Sequence, residues 1–129
     1  QHCSNAEKVV SFLETQKKVK NVIYPTNHQG EIKERAKKYM QGGYGSLVGM
    51  DVGTKEAGAK FIDNLKMLYH VANIGDARSL AIHPATTTHS QLDDAALAAA
   101  GVTPGYVRLS IGIEHPDDII ADIKQALAA

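Results

Sequence analysis

The chain has 129 residues, 43% of them hydrophobic, which suits one globular domain rather than a disordered segment. Fourteen Lys and Arg balance fourteen Asp and Glu, and the formal net charge of zero argues against a nucleic-acid binder or a polybasic membrane module. Cys3 is the single cysteine, so no internal disulfide can form and a cytosolic setting is the default, while no apolar run approaches the roughly 20 residues of a membrane span.

The first residues, Gln1-His2-Cys3-Ser4, contain neither Met nor a signal-peptide core, and the chain reads as cut from something longer. Ser4 to Gln16 is predicted as a helix: Ser4 and Glu7 have capping-box spacing, and Val9, Phe12 and Leu13 share a face. Val19 to Tyr24 reads as a strand stopped by Pro25, followed by a turn over Thr26–Gly30. Glu31 to Met40 reads as a charged helix. Its Lys33, Arg35, Lys37 and Lys38 interleave with Glu31 and Glu34, so a solvated face is expected there rather than a basic patch. The glycine-rich turn Gln41–Gly45 lacks dinucleotide and P-loop spacing and precedes a strand, which excludes a phosphate loop.

Ser46 to Val52 is the second predicted strand, and Gly53-Thr54 opens a helix to Leu65 that turns Ala57, Phe61, Ile62 and Leu65 inward. Met67 to Ile74 is the third strand. A loop of about 16 residues, Gly75–Ser90, follows it, and loops of that length inside a domain tend to carry function. Leu92 to Ala100 is a short helix closed by Gly101, and Tyr106 to Ile113 is the fourth strand. Pro116 to Ala128 is the last helix, with Pro116 at its first position and Ile119, Ile120, Ile123 and Leu127 as its stripe. The expected fold is one α/β domain, a small, mostly antiparallel sheet of about four strands with helices packed on it.

Candidate chemistry concentrates on the fourth strand and the loop. Along Tyr106–Gly112, Val107, Leu109 and Ile111 share the core face, and Arg108 and Ser110 share the other. An arginine in an apolar strand needs a partner. Either a structural ion pair, to Asp76 or Glu114, or a carboxylate or phosphate ligand gripped by the planar guanidinium would supply it. Asn73, Ser79, Thr86, Thr87 and Thr88 crowd amides and hydroxyls into the loop, able to orient a polar ligand or merely to satisfy loop backbone. Six histidines show no HxH or HExxH spacing and Cys3 has no visible base, so neither a metal site nor a catalytic thiol is expected.

Two stretches go beyond generic pattern. Ala72-Asn73-Ile74-Gly75-Asp76-Ala77-Arg78-Ser79-Leu80-Ala81-Ile82-His83-Pro84-Ala85-Thr86-Thr87-Thr88-His89-Ser90-Gln91-Leu92 resembles the loop of O-acetylhomoserine sulfhydrylases. Ala100-Gly101-Val102-Thr103-Pro104 and Val107–Glu114 resemble the end of the same family, the Cys/Met-metabolism pyridoxal-phosphate enzymes. The helix from Lys55 through Ile62 also fits, whereas Thr26–Glu34 is shorter than usual and lacks a Pro-rich turn. The resemblance implies that residues 1–129 are a C-terminal, substrate-binding small domain of fold type I. The large N-terminal domain that holds pyridoxal phosphate on a lysine is then absent from this chain. Arg108 resembles the arginine that grips the substrate α-carboxylate, Asn73 a polar contact to it, and Thr88 a threonine beside the substrate. Ser79 matches a serine of the same loop.

No lysine here sits in the family's cofactor-lysine motif, so the resemblance implies no catalytic, cofactor-binding or metal-ligating residue in this chain, which by itself is expected to be inactive. The implied reaction replaces the acetate of O-acetylhomoserine with sulfide or a thiol, giving homocysteine or methionine. The implied setting is a cytoplasmic homotetramer. Gly75–Leu80 favours this branch over cystathionine γ-synthase and γ-lyase relatives, and a stand-alone amino-acid-binding module remains the reading from another class.

Overall fold

The computed structural model describes residues 1–25, 34–35, 43–70, 76–86, 93–99 and 102–129. In chain order these form α1 (His2–Glu14), β1 (Asn21–Ile23), β2 (Leu47–Asp51), α2 (Lys55–Asn64), β3 (Tyr69–His70) and β4 (Leu80–Ile82). A 3₁₀ turn (Pro84–Thr86), α3 (Asp94–Ala99), β5 (Tyr106–Ser110) and α4 (Pro116–Ala128) follow. The predicted helix Glu31–Met40 lies almost wholly outside the described residues.

The strands form one sheet in the order β1-β2-β5-β4-β3. Three neighbouring pairs are antiparallel and the edge pair β3–β4 is parallel. The mixed sheet therefore has five strands where about four were expected. The difference lies inside the predicted 75–90 loop. Leu80-Ala81-Ile82 joins the sheet beside β5, and all three side chains are buried, so no polar alternation marks them as a strand. Of the predicted strand Met67–Ile74, only Tyr69 and His70 pair among the described residues.

Helices α1, α2 and α4 cover one face of the sheet. Val9 and Leu13 of α1, Phe61 of α2 and Ile119 and Ile123 of α4 meet Val48, Met50, Val107, Leu109 and Ile111 in a single core. Each such aliphatic side chain contributes roughly 1.5–3 kcal/mol when fully buried. Helix α1 starts two residues before the capping-box position. Gln1 is its N-cap with no side-chain capping bond, and Asn5 is drawn into the interior instead. The other two helix starts match their signals: Thr54 accepts from the Ala57 amide at 3.0 Å, and Pro116 follows the N-cap His115. Gly53 takes φ +99°, a turn conformation that strains any side-chain-bearing residue, and its amide bonds the Asp51 carboxylate at 2.8 Å.

Polar groups tie the elements across the core. Tyr24 is buried and donates its hydroxyl to the Gly45 carbonyl at 2.8 Å; burial, chiefly, pushes its pKa up to about 12. Asp122 of α4 accepts the backbone N–H groups of Lys66, Met67 and Leu68 at 2.9, 2.8 and 2.9 Å, anchoring the turn between α2 and β3. Lys18 donates to the Leu127 carbonyl at 2.7 Å, where the end of α4 leaves acceptors open. No helix among the described residues is long and apolar enough to cross a membrane.

Candidate functional site

Strand β5 is central, with β2 on one side and β4 on the other, and its alternation sorts its side chains. Val107 and Leu109 are fully buried under the helices, while Tyr106, Arg108 and Ser110 face the other way. That second face has no helix from the core over it. It carries Ile23 of β1, Leu47 of β2 and Tyr69 of β3, which are 38%, 39% and 49% exposed.

Arg108 stands at the middle of this face, half-buried, opposite Gly49 on β2 and Ile82 on β4. The glycine is what opens the site. A Cβ at residue 49 would lie 2.7 Å from Tyr106 Cε2, 2.9 Å from its hydroxyl and 3.2 Å from Ile23 Cβ. Without one, the Tyr106 ring settles over the backbone of β2 and a hollow of about 210 Å³ forms, lined by Ile23, Pro25, Leu47, Gly49, Tyr106 and Arg108. Burial raises the Tyr106 pKa and the nearby guanidinium opposes that rise, so the phenol stays protonated beside a fixed positive charge. A planar cation over apolar walls, with a phenol at its side, suits a small carboxylate with an aliphatic body.

The other expected site residues fall elsewhere. Ser79 is fully buried just before β4. Its backbone N–H and its hydroxyl both donate to Glu114, each at 2.8 Å, and its Oγ accepts from the Gly112 amide at 2.9 Å. Glu114, one of the two carboxylates considered as a partner for Arg108, is thus turned to Ser79. Asp76, the other, accepts from the Arg78 amide at 2.9 Å. Asn73 and Thr88 lie outside the described residues.

His83, weighed in the sequence only as a metal ligand, is fully buried between three elements. Its Nε2 lies 2.7 Å from the Pro104 carbonyl and its Nδ1 3.0 Å from Thr86 Oγ1, and its ring rests on Gly58 of α2. A carbonyl only accepts, so Nε2 carries the proton. Burial, with help from Lys55 and His70, lowers its pKa against the opposing pull of the Pro104 bond, and the ring is neutral. Among the described residues, no three His, Cys, Asp or Glu side chains come together as a metal site. Gly49 and Tyr106 are the site features that sequence reasoning missed, and Glu114 was weighed there only as a partner for Arg108; a glycine inside a predicted strand was the available signal for the first.

Comparison with known proteins gives a consistent result. Residues 1–128 match the family described as Cys/Met metabolism PLP-dependent enzymes. An O-acetyl-L-homoserine sulfhydrylase of Leptospira meyeri is 48% identical over 128 residues, 98% of this chain and 29% of that protein. An L-methionine gamma-lyase of Fusobacterium nucleatum is 43% identical, over 98% of this chain and 32% of that protein. A crystal structure from Campylobacter jejuni, titled as an O-acetylhomoserine (thiol)-lyase with a pyridoxyl-lysine phosphate, superposes with a TM-score of 0.89 at 41% identity. It covers 99% of this chain and 31% of that one. The chain therefore spans about 30% of the length of the relatives it matches.

Proposed function

The chain belongs to the Cys/Met metabolism PLP-dependent enzymes, and from that premise we propose that it is the C-terminal, substrate-binding part of an O-acetylhomoserine sulfhydrylase. The observation that carries this reading is Arg108, held at the centre of the sheet face that the core helices leave uncovered, next to the hollow opened by Gly49. The resemblance of residues 100–104 and 107–114 to the end of that family supports the C-terminal placement. In this reading the enzyme's own N-terminal large domain covers the face, and the whole works as a cytosolic homotetramer.

None of the described strand residues is a lysine. Pyridoxal phosphate, held by the large domain, supplies the electron sink for bond breaking at the amino-acid carbons. This chain orients. The Arg108 guanidinium takes the α-carboxylate of O-acetylhomoserine in two parallel hydrogen bonds, which fixes the direction of the Cα–H bond. Asn73 adds a polar contact to the same carboxylate and Thr88 stands beside the substrate. Ile23 and Leu47 line the hollow and are exposed in this chain, and the large domain lying over them would keep water from the pair. Acetate leaves Cγ, and the sulfur of sulfide or a thiol takes its place.

The test is made on the full-length enzyme. A charge-assisted bidentate pair contributes about 1.5–3 kcal/mol, and each 1.4 kcal/mol is about tenfold. Arg108→Lys, which keeps the charge and loses the fork, is expected to lower kcat/KM by roughly one to two decades, and Arg108→Ala by more. Cofactor absorbance stays unchanged in both. Full activity in Arg108→Lys refutes the clamp. The 43% identical methionine gamma-lyase favours a second reading, γ-elimination. Methionine breakdown without added sulfide, in place of homocysteine formation from O-acetylhomoserine, would select it.

A further inference from the structure

We propose that Glu114 is a positioning residue for Arg108, acting through Ser79 to lock the register of β4 against β5. The inference rests on the carboxylate-clamp reading of Arg108. Strand β4 has three residues, and its pairing sets Leu80 opposite Ser110, Ala81 opposite Leu109 and Ile82 opposite Arg108. With apolar side chains buried on both faces, the pattern of these three residues does not by itself distinguish one register from the next, and a slip of one residue would turn Ile82 away from Arg108 and present Ala81 in its place.

The lock sits where β4 begins and β5 ends. Both oxygens of Glu114 are used on Ser79, one for its amide and one for its hydroxyl, and the same hydroxyl receives the Gly112 amide. Ile113 donates to the Ala77 carbonyl at 2.9 Å, continuing the pairing past the last strand residue. Gly112 leaves no room for a side chain: a Cβ there would strike the Ala77 carbonyl and come within 2.6 Å of the Arg78 carbonyl carbon. The third anchor is Asn5 of α1, whose amide donates to the carbonyls of Gly112 and Glu114 at 3.1 and 2.6 Å. A helix from the core thus holds the Glu114 backbone while the Glu114 carboxylate holds β4. No part of this network need touch substrate. It fixes which residue of β4 pairs with Arg108 across the ladder.

The experiment compares Glu114→Gln, Ser79→Ala and Arg108→Lys in the full-length enzyme, reading KM and kcat for O-acetylhomoserine, cofactor absorbance and thermal midpoint. Glu114→Gln retains one acceptor for Ser79 and turns an NH₂ group against its other donor. The expected result is a KM raised about tenfold, with the effect falling on KM rather than kcat, and a smaller rise of the same kind in Ser79→Ala. Glu114→Asp, too short to reach both donors, should not rescue KM. If Glu114→Gln does not fold, Ser79→Ala carries the test alone. A lower thermal midpoint with wild-type KM overturns the inference and leaves a purely structural clasp. Where Arg108→Lys raises KM and neither other variant does, the positioning role fails with the clamp intact. Where Arg108→Lys leaves both kcat and KM unchanged, the clamp itself has failed and the inference falls with it.

Discussion

Replacing Asp122 should be among the most damaging single changes away from the candidate site. Its carboxylate is 6% exposed and accepts three consecutive backbone N–H groups, those of Lys66, Met67 and Leu68, at 2.8–2.9 Å, with the Gln125 side-chain amide as a fourth donor at 2.9 Å. Asp122→Ala leaves three donors near the core without their acceptor. Each stranded donor costs about 1–3 kcal/mol, and water reaching the part-buried Lys66 and Met67 amides trims the sum, giving about 3–5 kcal/mol. A domain of this size has about 5–15 kcal/mol in total. Asp122→Asn keeps an oxygen for Met67 and Leu68 but sets an NH₂ group against the Lys66 amide, so about 1–3 kcal/mol is expected. Urea unfolding followed by far-ultraviolet circular dichroism measures both, since the chain has no tryptophan. Burial pushes the Asp122 carboxyl up, but the Leu68, Lys66 and Met67 amides and Gln125 outweigh it and hold the pKa below the usual carboxylate range. Its contribution is therefore present at neutral pH and is lost only as pH falls through that lowered value. A loss under about 1 kcal/mol in Asp122→Ala would refute the anchoring argument.

Gly58→Ala should destabilise although alanine favours helix by about 1 kcal/mol, because the new methyl would run into the His83 ring, with Cδ2 at 2.7 Å and Cε1 at 2.8 Å; overpacking of this kind costs typically about 1–3 kcal/mol. A urea midpoint raised by Gly58→Ala would show that the ring does not rest on α2. His83 is neutral in the fold with a lowered pKa, so the unfolded chain takes up its proton first, and stability should fall as pH drops below 6.5 toward the folded value. Nitrogen-15 spectra of the histidine rings should show His83 as the neutral Nε2–H form at pH 6.5, and a protonated ring there would refute the assignment.

Much of the fold was legible because its signals are local. Pro116 and the stripe Ile119, Ile123 and Leu127 fix the start and inward face of α4, and Thr54 fixes the start of α2. The capping-box spacing of Ser4 and Glu7 misled, since the helix already begins at His2 and Asn5 serves the far end of β5 rather than the helix terminus. Strand β4 was hidden by being buried on both faces, which erases the period-2 pattern and leaves three apolar residues indistinguishable from loop. The role of Asp122 and the actual partner of Glu114, which the sequence offered to Arg108, were illegible for a different reason. The partners of both carboxylates, at residues 66–68 and 79, are remote in sequence, and nothing local separates such a carboxylate from one in solvent.

The candidate site itself was half legible, and the reason lies in how strands are read. Alternation along β5 put Arg108 on the face away from the core, and it stands there. Alternation along one strand carries no information about the strand beside it. A central strand selected for stability alone would pair β-branched or aromatic residues across the ladder, each such pair contributing about 0.2–1 kcal/mol. Here one cross-strand pair is Arg108 with Gly49, a cation opposite a residue with no side chain. Each departs from strand preference, and they depart in register with one another. A lone glycine or a lone arginine is explained by a bend or an ion pair. Facing each other on the side of the sheet away from the core helices, with the Tyr106 ring laid over the glycine, they border a hollow beside a charge, a departure from strand preference that local consistency does not explain.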